Sequence, residues 1–234
     1  MDWRKVIEGA VFSPRPPRLT WTGLFPHTQA MSDEDLLRRW QAGDRAAGQA
    51  FFQALYPVVV RFLRNKVADD VRDDLVQQTF MAAAQADFGG RSSVRTWLLG
   101  IAWRHLASHF RSAGRLQARE VELGTLSVAE LGRGPESQAA WRQEERLLLE
   151  GLRSIPVHAQ VALELHYWEG MTAAEIAAVT DTPVGTIKTR LRDGRLALER
   201  ALSRLAASPD ALQSTLDDLQ GWARRVREAW ATPG

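Results

Sequence analysis

The sequence predicts an all-α protein: two small helical modules joined by a flexible linker, the second containing a helix-turn-helix. Three observations predict it. Apolar residues recur at three- and four-residue steps through most of the chain, no segment alternates apolar and polar residues as a strand would, and the helical period lapses across residues 114–139. The expected organisation is a flexible N-terminal extension over residues 1–30, a first module over 31–113, the linker over 114–139, a second module over 140–207 and an amphipathic helical tail over 208–234.

The extension holds Pro14, Pro16, Pro17 and Pro26 among isolated aromatics and has no periodic apolar face. Ser32 supplies a side-chain oxygen for orphan N–H groups, and Asp33, Glu34 and Asp35 sit where the helix dipole favours acids. A helix therefore starts here, carries Leu36, Leu37 and Trp40, and stops at Gly43. The second helix sets Ala47, Phe51, Leu55, Val59, Phe62 and Leu63 on one stripe and is expected to bend or break near Pro57. The third starts near Val71 and buries Leu75, Val76, Thr79, Phe80 and Ala83, before a loop that contains Gly89 and Gly90. The fourth runs from about Ser92 to Ala113. Val94, Trp97, Leu98, Ile101, Ala102, Leu106 and Phe110 form its buried stripe, with Arg95, Arg104, His105, His109 and Arg111 largely off it. Four glycines and Pro135 mark the linker. Periodicity resumes at Trp141 and continues through Leu205, with breaks at residues 154–156, 169–172 and 180–183. In the tail, Leu212, Leu216, Leu219, Trp222, Val226 and Trp230 share one helical face that should dock, on the second module or on a partner, and not stand free in water.

Composition narrows the chemistry. The 234 residues are 45% apolar and 25% charged, an ordinary globular balance, and with no Cys they exclude disulfide scaffolds, zinc ribbons and cysteine nucleophiles. The five His show no metal-binding spacing, so no metal and no cofactor is expected. No apolar run reaches the length of a membrane span, so no membrane insertion is expected and the cytoplasm is the default compartment. The formal charge of +2 is unevenly spread: residues 91–119 carry six Arg and no acid, and residues 184–204 carry six bases against two acids. Two basic stretches suit two contacts with a polyanion.

The most specific local pattern spans Met171 to Leu205. Thr172 to Val179 reads as a short helix, Thr180-Asp181 as a turn, and Thr182-Pro183 as the start of a second helix, with a hydroxyl cap and proline at its first position. Ala177 is small where the helices cross, and Ile176, Val179, Ile187 and Leu191 supply their shared core. Asp181 can take the left-handed conformation that such a turn needs. Gly185, Thr186, Lys188, Thr189, Arg190 and Arg192 then face outward, where a recognition helix meets base edges and phosphates.

Three segments together resemble one family. Asp73-Asp74-Leu75-Val76-Gln77-Gln78-Thr79-Phe80, the run from Ser93 to Ala102 that contains Arg95-Thr96-Trp97-Leu98, and Ile176-Ala177 through Pro183-Val184-Gly185 to Leu191 look like the successive signatures of bacterial extracytoplasmic-function sigma factors, in their order and spacing. The resemblance covers about residues 32–112 and 140–206. It implies a first module that grips the clamp helices of RNA polymerase and melts the −10 element, and a second that reads the −35 element as duplex and touches the polymerase flap. It implies core RNA polymerase and promoter DNA as partners, an anti-sigma factor that restrains the protein, and no catalytic residues. Carried over position by position, Asp73, Asp74, Leu75, Gln77 and Gln78 resemble the polymerase-binding surface. Phe88, Arg91, Ser93, Trp103, Arg104, His105, Ser108 and Arg111 resemble the −10 elements, where rings stack on exposed bases and cations hold phosphates. Val184 joins the six outward residues above as the −35 set. The chain departs from the family at Arg104 and Ser108, where Asn and Asp are common, and at Asp193 and Gly194, where a basic residue and Ala are usual. These departures bear on which promoter is read.

Two other readings compete. One is a helix-turn-helix regulator that uses residues 32–112 for dimerisation or sensing; such a protein has no reason to carry the first two signatures. The other is an enzyme built on His158, Glu164 and His166, for which no nucleophile or phosphate loop is present.

Overall fold

In a computed structural model the described residues are 31–115, 127–129, 143–205 and 221. The N-terminal extension, most of the linker and the tail apart from Gly221 lie outside them. The described residues form helices α1 (Asp33–Gln41), α2 (Arg45–Arg64), α3 (Asp69–Gln85), α4 (Val94–Arg115), α5 (Gln143–Arg153), α6 (Val157–Tyr167), α7 (Ala173–Thr180) and α8 (Val184–Leu205). Among them there is no strand, only an isolated bridge between Ser127 and Pro156. The fold class is all-α, with one helical module on each side of the linker. By contact the chain divides within α2 into a compact unit ending at Leu55 and another starting at Tyr56.

In the first unit the expected cap is in place: the Asp35 N–H donates to the Ser32 hydroxyl at 3.1 Å, ahead of three acids in the first turn. Leu37 is fully buried. Gly43 turns the chain at φ +100°, and the next residue, Asp44, caps α2 by accepting the Ala47 N–H at 3.1 Å. That bond, and then the Arg39 guanidinium, hold the Asp44 carboxyl below its usual range. The Trp40 ring lies on Phe51 with centroids 5.3 Å apart. A Cβ at Gly48 would stand 2.7 Å from the Trp40 Nε1, so only glycine lets the indole sit here. Contrary to expectation, α2 carries Pro57 without a break. Gln53, whose carbonyl the proline leaves unbonded, is exposed, so water can take that carbonyl.

In the second unit α3 packs on α4, and α4 packs on α7. Leu75, Val76, Thr79, Phe80 and Ala83 are buried as the periodicity requires. Ser93 caps α4 through the Thr96 N–H at 3.1 Å. A second core gathers Leu148 and Leu152 of α5, Ile155 of the following turn, Leu163 of α6 with Trp168 just beyond it, and Leu198 and Leu202 of α8. Gly194, unfavourable by ~1 kcal/mol against Ala on helix propensity alone, has a packing role: a Cβ there would lie 3.2 Å from the Ala159 Cβ, so glycine lets α8 cross α6 closely. A piece of the linker is tied to this module, since Val128 is fully buried and the Ala129 N–H donates to the Arg153 carbonyl at 2.9 Å.

Candidate nucleic-acid interface

The turn between α7 and α8 is built as the sequence predicts. Thr172 and Glu175 form a capping box, with the Thr172 N–H and hydroxyl each donating to the Glu175 carboxylate at 2.8 Å. Those bonds hold the Glu175 carboxyl below its usual range. α7 ends at Asp181 in the left-handed region, φ 49° and ψ 50°, which redirects the chain into α8. Ile176 and Ile187 are fully buried between the two helices, with Ala177 and Val179 beside them. Thr182 differs from expectation. Its hydroxyl donates to the Thr180 carbonyl at 3.1 Å and accepts Arg190 Nη1 at 3.3 Å, so the turn and Arg190 occupy it. Pro183 precedes the helix and its carbonyl accepts the Ile187 N–H at 3.1 Å.

The −35 candidates mostly face solvent: Val184, Gly185, Thr186, Lys188, Thr189 and Arg192 are exposed and Arg190 is half-buried. Thr189 donates to its own helix at the Gly185 carbonyl, 3.2 Å away. Asp193 is exposed and accepts Arg192 Nε at 2.9 Å, so it offsets part of that charge on the exposed face of α8.

On α4 the −10 candidates Arg104, Ser108 and Arg111 are exposed at four- and three-residue steps, on one face, with His105 half-buried beside them. Burial first, and then the Arg104 charge, push the His105 imidazole below its usual pKa. Arg91 is exposed in the preceding loop, and Phe88, half-buried, meets the half-buried Trp97 edge-on at 5.4 Å. Trp103 is the exception. It is 6% exposed and packs edge-to-face on His158 at 5.3 Å, so in this conformation no base can stack on it.

On α3, Asp73, Asp74 and Gln78 are exposed and Gln77 is half-buried. Leu75 is corrected: it is 4% exposed, because it sits two residues from Asp73 and turns into the core. The same face also carries Met81, 38% exposed and one turn beyond Gln77, which the sequence reading did not single out. An apolar residue at a helical position is assigned to the core by default, and only packing shows that this one is left outside.

The residues of the enzyme reading do not converge. Glu164 is buried against Lys66, the His166 Nδ1 lies 2.9 Å from the Met171 carbonyl, and His158 packs on Trp103. Among the described residues no group of His, Asp and Glu is arranged to hold a metal.

Two family models match the chain: sigma-70 region 2 over residues 51–116 and sigma-70 region 4 over residues 145–205. The curated sigma-E factor of Haemophilus influenzae, an ECF RNA polymerase sigma factor, is 26% identical over 188 residues, covering 76% of this chain and 98% of that one. Its counterpart in Escherichia coli K12 is 26% identical over 189 residues, with the same coverage. Among solved structures, CnrH in complex with the cytosolic domain of CnrY matches with a TM-score of 0.54 at 22% identity, covering 74% of this chain and 99% of CnrH; it shares the fold. The α3–α4 module and the helix-turn-helix module are thus sigma region 2 and region 4, and the chain belongs to the extracytoplasmic-function group of the sigma-70 family. It is an alternative sigma factor, a transcription initiation factor that binds core RNA polymerase and promoter DNA. The regulator reading leaves the region 2 match without a purpose.

Proposed function

We propose that α3 binds polymerase through Asp73, Asp74, Gln77 and Gln78, with Met81 adding an apolar contact on the same face. Phe88, Arg91, Ser93, Arg104, His105, Ser108 and Arg111 hold the opened −10 strand, joined by Trp103 once it is uncovered. Val184, Gly185, Thr186, Lys188, Thr189, Arg190 and Arg192 read the −35 duplex. The working modules are residues 31–113 and 140–207, connected by 114–139. The protein acts in the cytoplasm, without catalytic chemistry of its own, as its membership of the sigma-70 family implies. The complex of CnrH with the cytosolic domain of CnrY supports a further protein partner here, which the family resemblance makes an anti-sigma factor.

The observation that carries the −35 assignment is the left-handed turn at Asp181, which leads into a helix whose first turns present Lys188 and Arg192 to solvent. Transcription with reconstituted polymerase over a promoter library tests it. Lys188→Ala and Arg190→Ala should each cost about 1–3 kcal/mol if they read a base, with specificity relaxed at one −35 position. A residue that only neutralises phosphate should weaken all sequences alike and lower the salt slope by about one. Wild-type transcription from the double variant would refute the assignment.

A further inference from the structure

We propose that Thr182 is a positioning residue for −35 recognition: its hydroxyl holds the Arg190 guanidinium in one orientation before DNA arrives, so that Arg190 reads a base while Lys188 and Arg192 supply charge. The inference rests on the assignment of −35 reading to α8 made above.

The three basic side chains in the first half of α8 are in different states. Lys188 and Arg192 are exposed, and Arg192 donates to the neighbouring Asp193. Arg190 is half-buried and tied back to the turn: its Nη1 donates to the Thr182 hydroxyl at 3.3 Å, and that hydroxyl donates to the Thr180 carbonyl at 3.1 Å. A hydroxyl has a single proton to give. With that proton committed to the carbonyl, the Thr182 oxygen offers only lone pairs to the guanidinium, and the chain of donors runs one way, from cation to carbonyl. Thr180 is the last residue of α7, so its carbonyl belongs to the negative end of that helix dipole, which favours a cation at the other end of the chain.

The support under Thr182 is itself fixed. The Asp181 and Thr182 N–H groups both donate to the Ala177 carbonyl, the second at 3.1 Å, and the buried Thr180 bonds its own hydroxyl to the Ile176 carbonyl at 2.9 Å. Because Pro183 stands between Thr182 and α8, the hydroxyl is not taken up by the first N–H groups of that helix and is left for Arg190. His158 of α6 lies close enough to Arg190 for that charge to depress its pKa, to about 4, so it stays neutral beside the guanidinium and does not repel it.

The consequence is a division of labour. An arginine gives up rotamer freedom when it is fixed on a ligand, and one already held in the free protein has less to lose on binding. Its planar fork recognises a base edge through two parallel bonds only when it is correctly oriented, whereas a lysine acts as a point charge in many orientations. The Thr182 bond occupies one N–H and leaves the rest of the fork for DNA.

Transcription from promoters randomised across the −35 element, by polymerase reconstituted with the full chain, tests the assignment. Thr182→Val removes the hydroxyl at nearly constant shape, and Thr182→Ser keeps it. Thr182→Val should lower transcription from the preferred promoter about fivefold or more and relax preference at one −35 position, the same position that Arg190→Ala relaxes. No charge is lost, so the salt dependence of DNA binding should keep its wild-type slope. Thr182→Ser should restore both output and preference. In an Arg190→Ala background Thr182→Val should add nothing, since the group that it positions is gone. Circular dichroism and melting establish that the variants fold, and if Thr182→Val does not, Thr182→Ala carries the same comparison. Wild-type preference in a folded variant without the hydroxyl would overturn the proposal, as would a loss that serine fails to restore or that adds in full to the loss from Arg190→Ala. A wild-type protein with no preference at any −35 position would remove the −35 assignment as well; preference that survives loss of the hydroxyl would remove the Thr182 role alone.

Discussion

His158 packs its imidazole on Trp103 next to the Arg190 charge, and its Nδ1 is buried without a hydrogen-bond partner among the described residues. Burial first, and then Arg190, push its pKa down to about 4 from 6.5. An exposed imidazole therefore takes up a proton as pH falls through 6.5, and the packed one resists until about 4. Within that window the unfolded chain binds more protons, so His158 makes the folded state lose stability as pH falls. Comparison with His158→Gln isolates the effect from carboxylates that titrate in the same range: the variant should lose less melting temperature between pH 6.5 and 4. Parallel curves for the two proteins would rule the effect out. Lys66 and Glu164 show the opposite face of burial, which opposes charge on both, pushing the lysine down and the carboxyl up, against the attraction that each offers the other.

At the scale of the element, the helices start where short polar side chains can take orphan N–H groups: Ser32 for α1, Asp44 for α2, Ser93 for α4 and Thr172 for α7. Two glycines inside helices do the reverse of what propensity suggests. Gly194 admits Ala159 and Leu163 of α6, and Gly48 admits the Trp40 ring. Gly48→Ala should destabilise the protein by about 1–3 kcal/mol although it improves helix propensity, because the indole must leave its place on Phe51. Urea unfolding followed by Trp fluorescence and circular dichroism checks this. A variant as stable as wild type, or more so, would show that the ring relocates at no cost.

Across the whole molecule, two exposed surfaces differ in charge, an acidic and amide-bearing face on α3 and a basic one at the start of α8, and the proposed function gives them different partners. Their separation makes the polymerase contact testable without disturbing DNA reading. Asp74→Arg with Gln78→Arg should abolish binding to core polymerase while leaving helicity, melting temperature and affinity for a −35 duplex nearly unchanged, since both side chains are exposed and the fold-bearing residues of α3 are Leu75, Val76, Thr79, Phe80 and Ala83. Undiminished co-purification with polymerase would remove α3 from the interface.

The eight described helices, their breaks at residues 154–156, 169–172 and 180–183, and the left-handed Asp181 are all legible in the sequence, because caps, proline, glycine and a 3.6-residue period act over a few residues. The outward faces of α3 and α8 follow from the same period. Trp103 shows where that reasoning stops: its position on α4 allows it to stack on a base or to pack, and what decides is His158, fifty-five residues further along the chain. Met81 is left outside the core, Gly48 and Gly194 are required where propensity argues against them, and Arg61 and Arg95 meet Glu169 while Lys66 meets Glu164 in two buried polar clusters, all for reasons set by side chains brought from other helices or turns. Local patterns thus determined what each helix is and which way it faces. Tertiary packing alone decided which of those faces remain available, because burial is a property of the neighbours and not of the residue.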